Sequence, residues 1–387
     1  LDRPAITVRR HGVDRLEAGH VWVFRSDVIV PTDIQAGAEV RLLDERRRFL
    51  GTALYSSRSQ IAVRFLSRED RPAEDILAAR LALAVALRDK LYPGATAIRV
   101  VHSEGDGLPG LIVDRYGAVL SLQTLTQAMD GRQAWIVERL LALTGAASVV
   151  ARNDVSTRRH EGLEETKSVL HGEPPGQIEY REGEIRLVAD PMAGQKTGSF
   201  LDQRENHVLA GDLASGRALD CFSYAGGFAL QLARHAASVT AVDSSERALD
   251  ELRTNASLNA LKNVTTHEAN AFDYLRAQVG ARERYDTIVL DPPAFAKNRQ
   301  SIEPALRGYK EINLRALTLL NPGGLLVTCS CSFHVDEATF TAMLLAAAHD
   351  AGRQVQLLER RGAGKDHPEL LGVPETKYLK CFFARVL

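Results

Sequence analysis

Two short strings hold the side chains best suited to chemistry. IVLDPPAFAKN (288–298) is an apolar run ending in Asp291-Pro292-Pro293, and GGLLVTCSCSF (323–333) is one ending in Cys329-Ser330-Cys331, about one α/β unit later. A carboxyl at a strand end serves as an acid, as a hydrogen-bond partner or as a plain helix N-cap. A thiol outside any paired framework is inert core or a nucleophile. Two further strand ends lie upstream, ALDCFSYAGGFAL (218–230) and VTAVDSS (239–245). In an open parallel sheet, ligands bind beyond the carboxyl ends of the strands. Four motifs therefore converge on one crevice, a small-molecule site with a cysteine at its edge.

The type of ligand follows from what the crevice offers. FSYAGGF is a Gly-rich turn between strand and helix, where Gly226 and Gly227 let backbone approach a ligand closely. It is not GxGxxG, it carries no basic residue for a pyrophosphate, and no GxxxxGK[ST] loop occurs in the chain. Asp243 ends the next strand, where a carboxylate accepts from a ribose diol or instead caps the helix after it. Asn270 ends the third strand, where an amide can pair with an adenine edge. A ribose acceptor and an adenine reader without a phosphate grip fit S-adenosylmethionine better than a dinucleotide.

The elements that must hold these residues alternate. From residue 200 onward, helical and strand patterns follow one another six times, which predicts a doubly wound, mostly parallel sheet over 191–387. Residues 1–71 read as short strands (ITVRR, HVWVF, EVRLLD, FLGTALY, IAVRFL), a small β-barrel. Residues 72–190 mix two helical stretches with strand-like pieces around the Gly-rich SEGDGLPG, an α+β unit.

Composition narrows the class. A chain of 387 residues exceeds a single core, and 25% charged residues are ordinary for a globular protein. No apolar run reaches membrane-spanning length and no signal-peptide pattern opens the chain, so a cytoplasmic protein is expected. The chain opens at Leu1 rather than Met, which leaves a natural start upstream as the expectation. The four cysteines (Cys221, Cys329, Cys331, Cys381) fit a reducing compartment, and no second Cys or His pair has ligand spacing, so no metal is expected. Net charge is −1, yet residues 1–71 hold thirteen Arg and no Lys against ten acids, a local +3. Arg suits bidentate phosphate recognition, although a mixed solvated surface would look the same by count.

Together these strings make the chain resemble class I S-adenosylmethionine-dependent methyltransferases, and more narrowly the bacterial large-subunit ribosomal RNA 5-methylcytidine methyltransferases. GHVWVFRSD and FLGTALYSSRSQIAVRFL resemble that family's PUA domain, an RNA-binding barrel, and SEGDGLPGLIVDRYG its central domain. QKTGSFLDQRENH, LDCFSYAGGFAL, VDSS, LDPPAFAK, RGYKEINLRAL, SCS, DHP and YLK resemble its catalytic domain. Two departures stand out: Asn270 replaces the usual Asp, and TGSF replaces TGFF, leaving Phe200 as the matching aromatic. The resemblance implies cofactor contacts at Phe200, Asp202, Arg204, Phe222, Ser223, Tyr224, Gly226, Asp243, Ser244, Asn270, Ala271, Asp291 and Pro292. It implies substrate contacts at Lys196, Pro292 and Phe295, with a structured linker or core as the blander alternative. A homodimer is a further expectation from the family.

Cytosine C5 is a poor nucleophile, and a thiolate added at C6 turns the ring into an enamine. By resemblance Cys331 is that nucleophile and Asp291 the acid that meets N3. Cys329, two residues earlier, should share its face of an extended strand but lie deeper, as a structural thiol. Cys221 and Cys381 read as core. The base that takes the C5 proton is unassigned. Two competitors remain: methylation elsewhere on RNA, such as guanine N7 or an amino group, which needs no cysteine, and an RNA-binding assembly factor with a vestigial methyltransferase domain.

Overall fold

The computed structural model describes residues 3–194, 197–296 and 299–387. They divide into two compact units, one of residues 3–180, 189–201 and 365–376, the other of 181–188, 202–364 and 377–387.

The first unit opens with a six-stranded barrel-like sheet, its strands running from Ala5–Val8 to Ile61–Ser67. Alternating Ile6, Val8, Val40, Leu42, Ala53 and Val63 fill its core. One element departs from the expected run of strands: Arg10–Glu17 is a helix. Gly12 at its middle lowers helix propensity, but a Cβ there would stand 2.7 Å from Val8 Cγ1. Close packing against the sheet, which the local sequence does not display, therefore selects glycine. A five-stranded sheet follows (Ala97–His102, Leu111–Tyr116, Val119–Thr124, Ser148–Arg152, Lys167–His171), with helices Ala73–Leu91 and Gln133–Thr144 beside it. Residues 365–376 join this unit through buried polar contacts. Arg88 donates to the Asp366 carbonyl (2.6 Å), and the Arg99 N–H donates to the Asp366 carboxylate (3.0 Å).

The second unit is the alternating α/β body. Its strands are β1 (Arg217–Cys221), β2 (Ser238–Asp243), β3 (Val264–Glu268), β4 (Tyr285–Leu290), β5 (Leu320–Ser330), β6 (Val355–Arg361) and β7 (Lys380–Val386). The helices are α1 (Arg204–Leu213), α2 (Gly227–Leu232), α3 (Glu246–Leu258), α4 (Ala271–Gly280), α5 (Ile302–Leu319) and α6 (Glu337–Asp350). The sheet order is β3-β2-β1-β4-β5-β7-β6. The first five strands pair in parallel, whereas β7 inserts antiparallel between β5 and β6. Strands β1, β4 and β5 are buried over nearly their whole length, as expected for a sheet covered on both faces. No helix among the described residues is long and apolar enough to cross a membrane.

Phe340 of α6 shows what holds the helical layer. It is fully buried and meets Tyr309 of α5 and Phe382 of β7 edge-on, with centroids 5.7 and 5.1 Å away. Phe340→Ala should cost ~3–5 kcal/mol, read as a lower urea midpoint by circular dichroism. Leu345→Ala, on the same helix but 71% exposed, should stay within ~0.5 kcal/mol.

Candidate functional site

The strand order reverses between β1 and β4, where Cys221 pairs with Leu290, and the carboxyl ends of both open on the same side. The residue after each strand carries the site. After β1 the chain makes a tight turn: Phe222 (φ 67°), Tyr224 (φ 45°) and Gly226 (φ 95°) are all left-handed. Two consecutive N–H groups, of Phe222 and Ser223, donate to the Val242 carbonyl of β2 (2.9 and 3.0 Å). Non-glycine residues in this region cost free energy, so the surroundings must enforce the turn. Gly227 opens α2 directly over a buried imidazole; a Cβ there would fall 2.4 Å from His207 Cε1. His207 is itself held by Glu182 at 2.8 Å.

Asp243, at the end of β2, accepts from Tyr224 N–H and from Ser245 N–H, each at 2.9 Å. Helix α3 is capped by the Ser245 hydroxyl instead, which disposes of the N-cap alternative for Asp243. Each carboxylate oxygen keeps a second lone pair for another donor. Ser244 is exposed beside it. Asn270 lies two residues beyond the end of β3, exposed, and its amide oxygen caps α4 by accepting from Phe272 N–H (2.9 Å). Ala271 after it is buried.

Asp291 follows β4 and caps no helix, since the chain runs irregularly through Ala296. Its N–H donates to the Cys221 carbonyl (3.3 Å), and Gln203 Nε2 donates to its Oδ1 (3.0 Å). Burial pushes the carboxyl up to about 6; His207 opposes that, while Asp202 adds to it. Pro292 is buried, and its carbonyl lies 3.9 Å from Cys331 Sγ. Cys331 is half-buried. Strand β5 ends at Ser330, so strand alternation does not reach Cys331, and the expected shared face with Cys329 gives way to separate surroundings. Cys329 is fully buried opposite Cys381 across the β5–β7 pair, and burial holds its thiol well above the ordinary value. The same holds for Cys221.

The remaining expected residues scatter more. Asp202 and Arg204 are buried at the start of the second unit, with Asp202 accepting from Tyr378 OH (2.6 Å). Phe200 falls at the end of the first unit, and Lys196 lies outside the described residues. Phe295 packs into a ring cluster, 4.7 Å from Tyr309, 5.8 Å from Phe272 and 6.4 Å from Phe222, which favours its core alternative. Among the described residues, no group of three or more His, Cys, Asp or Glu is placed to hold a metal.

Several residues near the site were not singled out from the sequence. Gln203 and His207 stand by Asp291. Tyr309 OH bonds both Ser332 Oγ (2.9 Å) and Ser330 Oγ (3.1 Å), and Ser332 Oγ accepts from Ala296 N–H (3.1 Å). These hydroxyls tie the Asp-Pro-Pro segment to the Cys-Ser-Cys segment. Lys380, the first residue of β7, donates to the Ser332 carbonyl (2.6 Å). The strings QKTGSFLDQRENH, RGYKEINLRAL and YLK contain these residues but give no hint of a role.

Comparison with known proteins agrees with this layout. Residues 6–68 match a PUA-like domain family, and residues 107–383 match the S-adenosylmethionine-dependent methyltransferase family. A protein of Shewanella denitrificans named Ribosomal RNA large subunit methyltransferase I is 39% identical over 96% of both chains. One of the same name from Vibrio cholerae is 36% identical over 99% of this chain and 100% of its own. A crystal structure of a protein complexed with SAH aligns with a TM-score of 0.86 over 99% of this chain and 100% of that one, at 20% identity, a likeness of fold.

The displaced Asp291 titration has a measurable consequence. An aspartate in an unfolded chain titrates near ~3.9, whereas burial holds this one at about 6 in the folded protein. Between those values the unfolded chain has lost a proton that the folded chain keeps, so stability falls as pH rises from about 4 through about 6. Asp291→Asn removes that contribution. Its urea midpoint should therefore drop less than the parent's between about pH 5 and about pH 7.5. Parallel midpoints for the two proteins would mean that Asp291 titrates normally.

Proposed function

The chain belongs to the S-adenosylmethionine-dependent methyltransferase family, and on that premise we propose that it methylates carbon-5 of a cytidine in large-subunit ribosomal RNA through a transient bond from Cys331. The observation that carries the reading is the 3.9 Å separation of Cys331 Sγ from the Pro292 carbonyl, which puts thiol and Asp-Pro-Pro turn at one point beside the strand-order reversal. The ribosomal RNA substrate is supported by the relatives' names and by the PUA-like domain at 6–68.

The crevice fits the cofactor on two counts. The left-handed turn of 222–226 brings main chain to the ends of β1 and β2, where Phe222 and Ser223 N–H bond the Val242 carbonyl, and Asp243 offers carboxylate lone pairs where a ribose diol would lie. Phe222, Ser223, Tyr224, Gly226, Asp243, Ser244 and Ala271 would line it, and Asn270 would offer its amide while keeping its cap bond. Asp202, bonded to Tyr378 OH, and Arg204, the first residue of α1, stay candidates for the cofactor's surroundings. S-adenosylmethionine, when bound, supplies an electrophilic methyl group.

The protein's own residues handle the electrons and protons on the base. The Cys331 thiolate forms a bond to C6, and the displaced electron pair moves toward N3, where Asp291 delivers a proton. A carboxyl titrating near 6 is roughly a tenth protonated at pH 7, enough for an acid that is reloaded each turnover. The Pro292 carbonyl, facing the thiol, can accept from the cytosine amino group. After methylation, loss of the C5 proton to solvent re-forms the C5–C6 double bond and expels the thiolate, and the N3 proton returns to the Asp291 carboxylate. The base must leave its stack to enter, so unpaired or distorted RNA is the expected form.

Labelled S-adenosylmethionine, incubated with the protein and large-subunit RNA, should leave label in 5-methylcytidine after digestion to nucleosides. Cys331→Ala should bind the cofactor with unchanged Kd and give no labelled nucleoside. Label in a guanine nucleoside that survives Cys331→Ala would replace the covalent reading with N7 transfer. RNA binding without label, on naked RNA and on ribosomal subunits alike, would leave the assembly-factor reading.

A further inference from the structure

Lys380 is 3% exposed, and its ammonium donates to two backbone carbonyls, Ser332 (2.6 Å) and Tyr378 (2.8 Å). A buried ammonium is costly unless opposite charge compensates it. Among the described residues no carboxylate makes ion-pair contact with it. The register places Lys380 directly opposite Ser330, the last residue of β5, with Cys331 next along the chain. Its carbonyl contact at Ser332 lies on the other side of that same cysteine. The Lys380 backbone thus pairs with the residue before Cys331, and its ammonium holds the carbonyl of the residue after it.

We propose that Lys380 is a positioning residue whose buried ammonium is the countercharge of the Cys331 thiolate, and that it holds the nucleophile ionised and aimed in one step. This deepens the reading of Cys331 as nucleophile and rests on it. A positive group beside a cysteine favours the thiolate, the reactive form. The effect is reciprocal: burial lowers the Lys380 ammonium to about 8, and the charge at Cys331 works against that fall. Other groups face the pair. Asp336, which caps α6 by accepting from Thr339 N–H (2.7 Å), acts on Lys380 in the same sense as Cys331, and Lys377 acts against both. Tyr309 of α5 faces Cys331 from the helical layer. Asp336 is exposed and solvated, so the countercharge most shielded from water is the thiolate itself.

The test is the pH dependence of Cys331 alkylation by iodoacetamide in the full chain, followed by mass spectrometry of the Cys331 peptide. The other three cysteines are fully buried and should react slowly. In the parent protein the alkylation midpoint should lie below the ~8.5 of an ordinary cysteine. Lys380→Gln keeps a donor for the Ser332 carbonyl but removes the charge, and should raise that midpoint by about one pH unit or more. Lys380→Arg should stay near the parent. Methyl transfer by Lys380→Gln should fall at neutral pH and recover in part as pH rises, with cofactor Kd unchanged. A Lys380→Gln profile that superimposes on the parent's would overturn the proposal. So would a parent midpoint at or above that of ordinary cysteine, a result that needs no variant to fold. Because alkylation involves no RNA, a shifted midpoint with no 5-methylcytidine would sink the proposed function and leave this pairing standing. An unshifted midpoint with normal product would do the reverse.

Discussion

Strands β1 and β4 lie side by side and parallel, Cys221 opposite Leu290, and from that pair the chain builds outward in both directions. A right-handed crossover obliges the helices following β1 and β4 to leave on opposite faces. The two strand ends are consequently uncovered, and backbone groups there face a gap rather than a helix. Every residue with a proposed chemical role follows from this constraint. The turn at 222–226, Asp291 and Cys331 come directly after β1, β4 and β5, and Asp243 is the last residue of β2.

The loops beyond these strand ends are tied by polar contacts, several of them buried. Asp291 donates through its backbone to Cys221 and accepts from Gln203, so its carboxyl keeps one orientation although burial disfavours its charge. The Tyr309, Ser330 and Ser332 hydroxyls perform the same service on the thiol side, and their link to Ala296 N–H couples the two loops. Networks of this type rigidify a site when fully satisfied. They also explain why α5 must pack where it does. Tyr309 reaches the loops only because Phe295 and Phe340 flank its ring at 4.7 and 5.7 Å. Core packing and site geometry are thus one arrangement.

The sheet and its strand ends were legible because their signals are local: apolar runs, Gly-rich turns and alternation of helix with strand. Asp243, Asp291 and Cys331 stand at such ends and could be picked out by position. The helix at Arg10–Glu17 was not legible, because Gly12 obeys a contact with Val8 rather than its neighbours in sequence. The return of residues 365–376 to the first unit was hidden for the same reason, resting on Arg88 and Arg99 far upstream. Gln203, His207, Tyr309 and Lys380 matter through partners between about twenty and about ninety positions away, and no spacing rule reaches that far. Asn270 shows the opposite failure. Its strand-end position pointed to a ligand, yet its oxygen first satisfies the helix that follows it.

The antiparallel strand β7 gains its meaning from the same contrast. A doubly wound sheet could end after β5, with the thiol at its edge and open to water. Inserting β7 between β5 and β6 covers that edge and brings Cys381 against Cys329 and Lys380 against Ser330. Because side chains alternate along a strand, the covering strand must present both an apolar and a polar residue at its first two positions. The apolar thiol, Cys381, seals the core beneath Cys329. The polar one, Lys380, can only turn toward the strand end, where the carbonyls of Ser332 and Tyr378 receive it. A charge buried at that point is costly without a compensating anion, and Asp336 and, in the proposed pairing, the Cys331 thiolate both favour it. In that proposal the strand that closes the sheet also bears on the chemistry at its rim.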